Sequence, residues 1–94
     1  NYDIYKQYLI AHVYSGQQRQ AIELVGEMDN YDLQFKEDTL IAMYNYSFHP
    51  EDQDFIQNWA EASHPQLWEK AKQSGLLTTA EAREEPKLLV EQKM

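Results

Sequence analysis

The spacing of apolar residues constrains this chain more than anything else in it. In YDIYKQYLIAHVY, residues 2 to 14, Tyr5, Tyr8, Leu9, His12 and Val13 fall at helical intervals. Gln18 to Met28 repeats the device with Ala21, Ile22, Leu24, Val25 and Met28 on one broad stripe. No stretch alternates apolar and polar residues for long, and no Asn-Gly or Asp-Gly hairpin turn occurs. The expected fold is all-α.

Punctuation between the stripes divides the chain further. Gly16 is a stop signal for the first helix, and Asn30-Tyr31-Asp32 reads as a turn after the second. Gly26 either weakens the second helix or admits a close neighbour. A third helix is expected from about Phe35 to Ser47, with Leu40, Ile41, Tyr44 and Phe48 on one side. Pro50 and Pro65 suit the first position of a helix, where the missing N–H costs nothing. Glu51 and Asp52 then fall in a first turn, where the helix dipole favours negative charge. Gly75 ends the fifth helix, and Thr78-Thr79-Ala80-Glu81 has the spacing of a capping box. The expectation is therefore a compact bundle of about five helices arranged as antiparallel hairpins, forming one domain over residues 1–77. Residues 78–94 would hold a short capped helix, which Pro86 interrupts, and a partly disordered tail.

A weak internal repeat supports the hairpins. Leu9-Ile10-Ala11 recurs at Leu40-Ile41-Ala42, and Ile22, Glu27 and Met28 find echoes at Ile56, Glu61 and Ala62. Within the first hairpin, IAHVYSGQQRQAIELVGEM, residues 10 to 28, resembles a unit of the tetratricopeptide or pentatricopeptide kind. Gly16 matches the turn glycine of such repeats, Ala21 the small residue at the helix crossing, and Met28 the pentatricopeptide methionine. The second hairpin differs, with no glycine near His49 and Phe55 in place of the small residue. The resemblance implies a concave surface that binds a peptide or RNA.

Charge argues against the RNA version. The chain carries a formal net charge of −8, with sixteen acids against eight Lys and Arg. Nucleic-acid binding needs Lys and Arg to displace counterions, so direct binding of DNA or RNA is not expected. No apolar run approaches the roughly eighteen residues of a membrane span, and no basic-apolar-small leader opens the sequence. The chain has no cysteine, hence neither disulfides nor a thiolate nucleophile. Cytoplasm is the expected compartment.

The stretch SFHPEDQDFIQNWAEASHPQLWEK, residues 47 to 70, gathers two His-Pro pairs and a run of acids. His49 and His64 lack the three- or four-residue pairing of zinc ligands on a helix, and neither Asp29–Leu40 nor Asp52–Ser63 has the glycine and glutamate of a calcium loop. Two helix starts are the expected meaning, with no metal, no cofactor and no catalysis. Two surfaces are left as candidates. Tyr2, Tyr5, Tyr8 and Tyr14 crowd the first helix, and interface hot spots are rich in Tyr. Asp29, Asp32, Glu51, Asp52 and Asp54 lie in the acidic middle. The expected function is a non-catalytic module that binds a protein partner through one of these faces, with a homodimer compatible. The alternative is an acidic inhibitor that imitates a nucleic-acid backbone and blocks a nucleic-acid-binding protein.

Overall fold

The computed structural model describes residues 1–82, which form five α-helices and a final turn of 3₁₀ helix. Helix α1 spans Tyr2–Tyr14, α2 Gln18–Asn30, α3 Glu37–Asn45, α4 Pro50–Ser63 and α5 Pro65–Ser74, with the 3₁₀ turn at Ala80–Ala82. There is no strand among the described residues. The all-α expectation holds.

The helix ends follow from local chemistry. The Asn1 side chain accepts from the backbone of Asp3 and Ile4, capping α1. At the other end Gly16 takes φ +81, Gln17 N–H bonds the His12 carbonyl, and Gly16 N–H bonds that of Val13. This pair of bonds is a Schellman motif. Helix α2 ends in the same way, but with Asp32 at φ +58 where glycine would be easiest; Leu33 N–H reaches the Met28 carbonyl and Asp32 N–H that of Asp29. Pro50 and Pro65 open α4 and α5 as expected. Helix α3 is shorter than its apolar pattern suggested. Phe35 precedes its Lys36 cap and is buried, while Phe48 lies beyond its end, edge-on to Tyr14 at 5.3 Å.

Helices α1, α3 and α5 make one layer, and α2 and α4 the other. Within each layer the helices run parallel. Tyr2 hydroxyl pairs with Thr39 at the starts of α1 and α3, and Tyr14 meets Tyr46 and Phe48 past the end of α3. Phe35 and His64 meet before α3 and α5, whereas Asn45 at the end of α3 reaches Leu76 and Thr78 beyond the end of α5. Arg19 lies over Phe55 near the starts of α2 and α4. The molecule is thus two antiparallel hairpins in register, α1–α2 and α3–α4, with α5 occupying the place that begins a third.

The core runs between the layers. Leu9, Leu40 and Ala71, spaced by 31 residues in α1, α3 and α5, are all fully buried. In α2 and α4 the equivalent positions are Gln18 with Gln53, Ala21 with Ile56, and Val25 with Ala60, all buried and all 35 apart. The identity match of Ile22 with Ile56 therefore sits one residue out of register, and the residue facing the crossing in the second hairpin is Ile56 rather than Phe55. Gln18 donates to the Val13 carbonyl and to Ser47 Oγ, at 2.9 and 3.2 Å. Gln53 donates to the Tyr44 carbonyl and the Thr78 carbonyl, at 3.1 and 2.9 Å. Val13 and Tyr44 differ by 31, as do Ser47 and Thr78. The repeat extends to its buried hydrogen bonds.

Thr78, where a capping box is expected, is tied to the end of α3. Thr78 gives its backbone N–H and its hydroxyl to Asn45 Oδ1, and Asn45 Nδ2 donates to the Leu76 carbonyl. Asn45 so holds the segment after α5 as a neighbouring strand would. A 3₁₀ turn with Ala80 buried follows. The helix expected on to Pro86 and the tail to Met94 lie outside the described residues.

Candidate functional site

The four tyrosines of α1 do not form a single ridge. At 100° per residue they spread around most of the helix. Tyr2 is used internally: its hydroxyl pairs with Thr39 Oγ1 and accepts from Lys36 N–H, and its ring lies under Lys36 Nζ at 4.7 Å. Tyr5 is half-buried against the core, with its ring 6.2 Å from that of Tyr31. Partial burial beside Tyr31 and Glu27 pushes its phenol up from the ordinary value. Tyr14 packs with Tyr46 and Phe48 on the α3 side. Tyr8 points outward, 55% exposed, and Tyr14 keeps 48% of its surface in water despite its ring contacts.

Tyr8 has company that the tyrosine count concealed. Ile4, one turn earlier on the same stripe, is 51% exposed, and Tyr31, set beside Tyr5 by the end of α2, is 64% exposed. Ala11 and Ser15 continue the stripe and are exposed too. This is the outer face of the first hairpin, opposite Leu9 and Val13, which are buried. The spacing 4, 8, 11, 15 was there to be read, but the aromatic residues drew attention to rings rather than to the stripe. His12, at the edge of this face, bonds the Tyr8 carbonyl through Nδ1 at 2.7 Å, as a core-edge histidine should.

The acids are divided as well. Asp29 stands in the last turn of α2 and Asp32 just beyond its end, whereas Glu51, Asp52 and Asp54 stand at the first turns of α4. Because α2 and α4 run parallel, the two groups lie at opposite ends of their layer, separated by about 18 Å along a helix of this length. Viewed by layer, the charge is strongly segregated. Helices α2 and α4 carry Glu23, Glu27, Asp29, Glu51, Asp52, Asp54 and Glu61 against Arg19 alone, a net of −6. Helices α1, α3 and α5 carry Asp3, Glu37, Asp38 and Glu69 against Lys6, Lys70 and Lys72, a net of −1. Lys6 bonds Asp38 at 2.9 Å between α1 and α3, which raises the amine and lowers the carboxyl from their usual values.

A cleft of about 440 Å³ lies where the end of α2 meets the joint between α4 and α5. Asp29, Gln34, Phe35, His64, Leu67 and Lys70 are among its lining residues. His64 is the whole connection between α4 and α5, closing one and opening the other. Its ring packs 5.1 Å from both Phe35 and Trp59, and that burial holds it below the usual imidazole range, against the pull of Asp29. His49 sits at the far end of the fourteen-residue α4, so the two His-Pro histidines cannot share an ion. Among the described residues no three His, Asp or Glu side chains are grouped as a metal site would group them. Nor is any described helix long and apolar enough to cross a membrane.

No family model matches the chain, and no curated protein is significantly similar to it. The likeness of residues 10–28 to a tetratricopeptide or pentatricopeptide hairpin accordingly rests on architecture: a glycine turn, a buried alanine at the crossing, and parallel stacking of successive hairpins.

Proposed function

We propose that this protein is a non-catalytic interaction module of the cytoplasm that docks another protein on the outer face of α1. One observation carries the reading: Ile4, Tyr8 and Tyr31, three large apolar side chains, are each more than half exposed at the same end of the stack. Repeat stacks keep their ends soluble with polar caps. The α5 helix comes nearer to this, showing Gln66, Glu69, Lys70, Lys72 and Gln73 to solvent with Leu76 exposed just beyond it, whereas the α1 end groups three exposed apolar side chains. Exposed apolar patches of this kind mark contact surfaces. Affinity capture at two salt concentrations, with wild type and Tyr8→Glu side by side, tests the reading. A partner retained at high salt and lost on substitution supports it; retention by Tyr8→Glu sinks it.

A second reading rests on the net charge of −6 in the α2–α4 layer. It takes the exposed Glu23, Glu27, Glu51, Asp54 and Glu61 as a surface for a basic protein, in the manner of a nucleic-acid mimic. Binding of that kind weakens steeply with salt and is indifferent to Tyr8.

A further inference from the structure

We infer that the occupant of the α1 face is a second copy of this chain, its own α1 lying antiparallel across a two-fold axis near Tyr8. The inference rests on the docking role proposed for this face and names the partner.

The repeat itself indicates that the face accepts a helix. Moving 31 residues along the chain carries Tyr8 to Thr39 and His12 to Met43, and both of those are fully buried in the interior of the stack. At Tyr8, the middle of the stripe, α1 thus presents to solvent a position that α3 hides, although Ser15 at its end maps onto Tyr46, itself 42% exposed. Head-to-tail stacking would need a matching apolar surface at the α5 end. Among the described residues that end offers Leu76, 59% exposed, in an otherwise largely polar and charged surface, which is no match for the α1 stripe. The α1 face is left to pair with itself.

Sequence along the stripe suits that pairing. Helix α1 runs from Tyr2 to Tyr14, and Tyr8 is its midpoint. Antiparallel pairing about Tyr8 sets residue n opposite residue 16−n. Ile4 then meets the partner's His12, and Tyr5 meets the partner's Ala11. Asp3 comes to the last turn of the opposing helix, and the two helix dipoles oppose each other favourably. Across this face nothing repels. The stripe of Ile4, Tyr8, Ala11 and Ser15 is uncharged, and the layer that holds it carries only −1. The opposite layer, at −6, excludes self-association through itself. A single helix pair with Tyr31 at its margin falls below the roughly 1,200 Å² of standard interfaces, so a dissociation constant on the order of micromolar is expected.

The absence of cysteine from the chain makes a sharp test possible. Tyr8→Cys places a thiol on the axis, and Asp54→Cys places one on the acidic layer. Under mild oxidation Tyr8→Cys should give a disulfide-linked dimer in high yield, while Asp54→Cys stays monomeric. Sedimentation of the unmodified chain should show dimer at concentrations of about 100 µM, and Tyr8→Glu should shift it to monomer with an unchanged helical circular-dichroism spectrum. A wild-type chain that stays monomeric at about 500 µM overturns the inference, as does equal cross-linking of the two cysteine variants. Should the chain be monomeric while capture still yields a Tyr8-dependent partner, the dimer fails and the docking reading survives. If Tyr8→Glu alters neither assembly nor capture, both fall.

Discussion

Gln18 and Gln53 hold the same place in successive hairpins, each in the first turns of its helix, each buried, each donating two hydrogen bonds from one amide nitrogen. One bond goes to a carbonyl near the end of the preceding helix, the other to the segment that follows the next helix in that layer. A single side chain so fixes the turn of its own hairpin and the spacing to the next. Leucine would fill the volume but remove both side-chain bonds, although Val13 still accepts from Gly16 N–H and Tyr44 from Ser47 N–H.

That arrangement predicts a clear penalty. Gln18→Leu and Gln53→Leu should each lower stability by about 1–3 kcal/mol, the worth of the two hydrogen bonds that each removes. Gln20→Leu, on the exposed side of α2, should change it by less than about 0.5 kcal/mol. Urea midpoints compare the three.

Backbone conformation gives a prediction of opposite sign. Asp32 holds φ +58 at the negative end of α2, so Asp32→Gly should stabilise the fold by about 0.5–1 kcal/mol by relieving both strain and charge. Gly16→Ala should destabilise by about 1 kcal/mol, through φ +81 alone, since no atom stands within 4 Å of the added Cβ. Gly26 is helical with equally open surroundings, so it is a weakness rather than a packing device, and Gly26→Ala should gain about 0.5–1 kcal/mol. Thermal melts read all three.

Trp68 is buried beneath Tyr44 at 5.4 Å between ring centroids, yet its indole N–H has no hydrogen-bond partner among the described residues. Trp68→Phe removes that orphan along with some area and should cost less than about 1.5 kcal/mol. Trp68→Ala should cost about 3–5 kcal/mol. A large loss from the phenylalanine variant would mean that the N–H is engaged after all.

Acid should weaken the joint between α4 and α5. His64 has a folded pKa below its usual 6.5, so between that lowered value and 6.5 the unfolded chain binds more protons than the native one. The contribution is complete above about 6.5 and is lost as pH falls towards the folded value. Wild type should therefore lose more stability than His64→Asn between neutral and mildly acidic buffer. Asp38, lowered by Lys6, adds a smaller loss below about 3.8, because the pair is largely in water.

Much of the fold was legible in the residues. Gly16, Pro50, Pro65 and Gly75 are local signals whose chemistry does not depend on distant neighbours, and they mark the end of α1, the starts of α4 and α5 and the end of α5. Helix α3 was read too long because Phe35 and Phe48 extend its apolar pattern, although one docks ahead of the cap and the other against Tyr14. The repeat was misaligned by one residue in its second helix, since identity favoured Ile22 with Ile56 while burial pairs Ala21 with Ile56. The aromatic site was read from residue type. Its true extent depends on which side of α1 meets α3, and no single helix reveals that. The buried glutamines escaped notice because Gln at a helix start looks like solvent-facing sequence.

The uneven division of charge between the two helical layers has a consequence beyond binding. Helices carrying −6 in one layer and −1 in the other set up an electric moment across the thickness of the described bundle. In any external field, such as that near a charged filament, surface or complex, it will turn before it touches. Its orientation on arrival is decided at a distance, so ionic strength should govern how quickly it finds a charged assembly even where the final contact is wholly apolar.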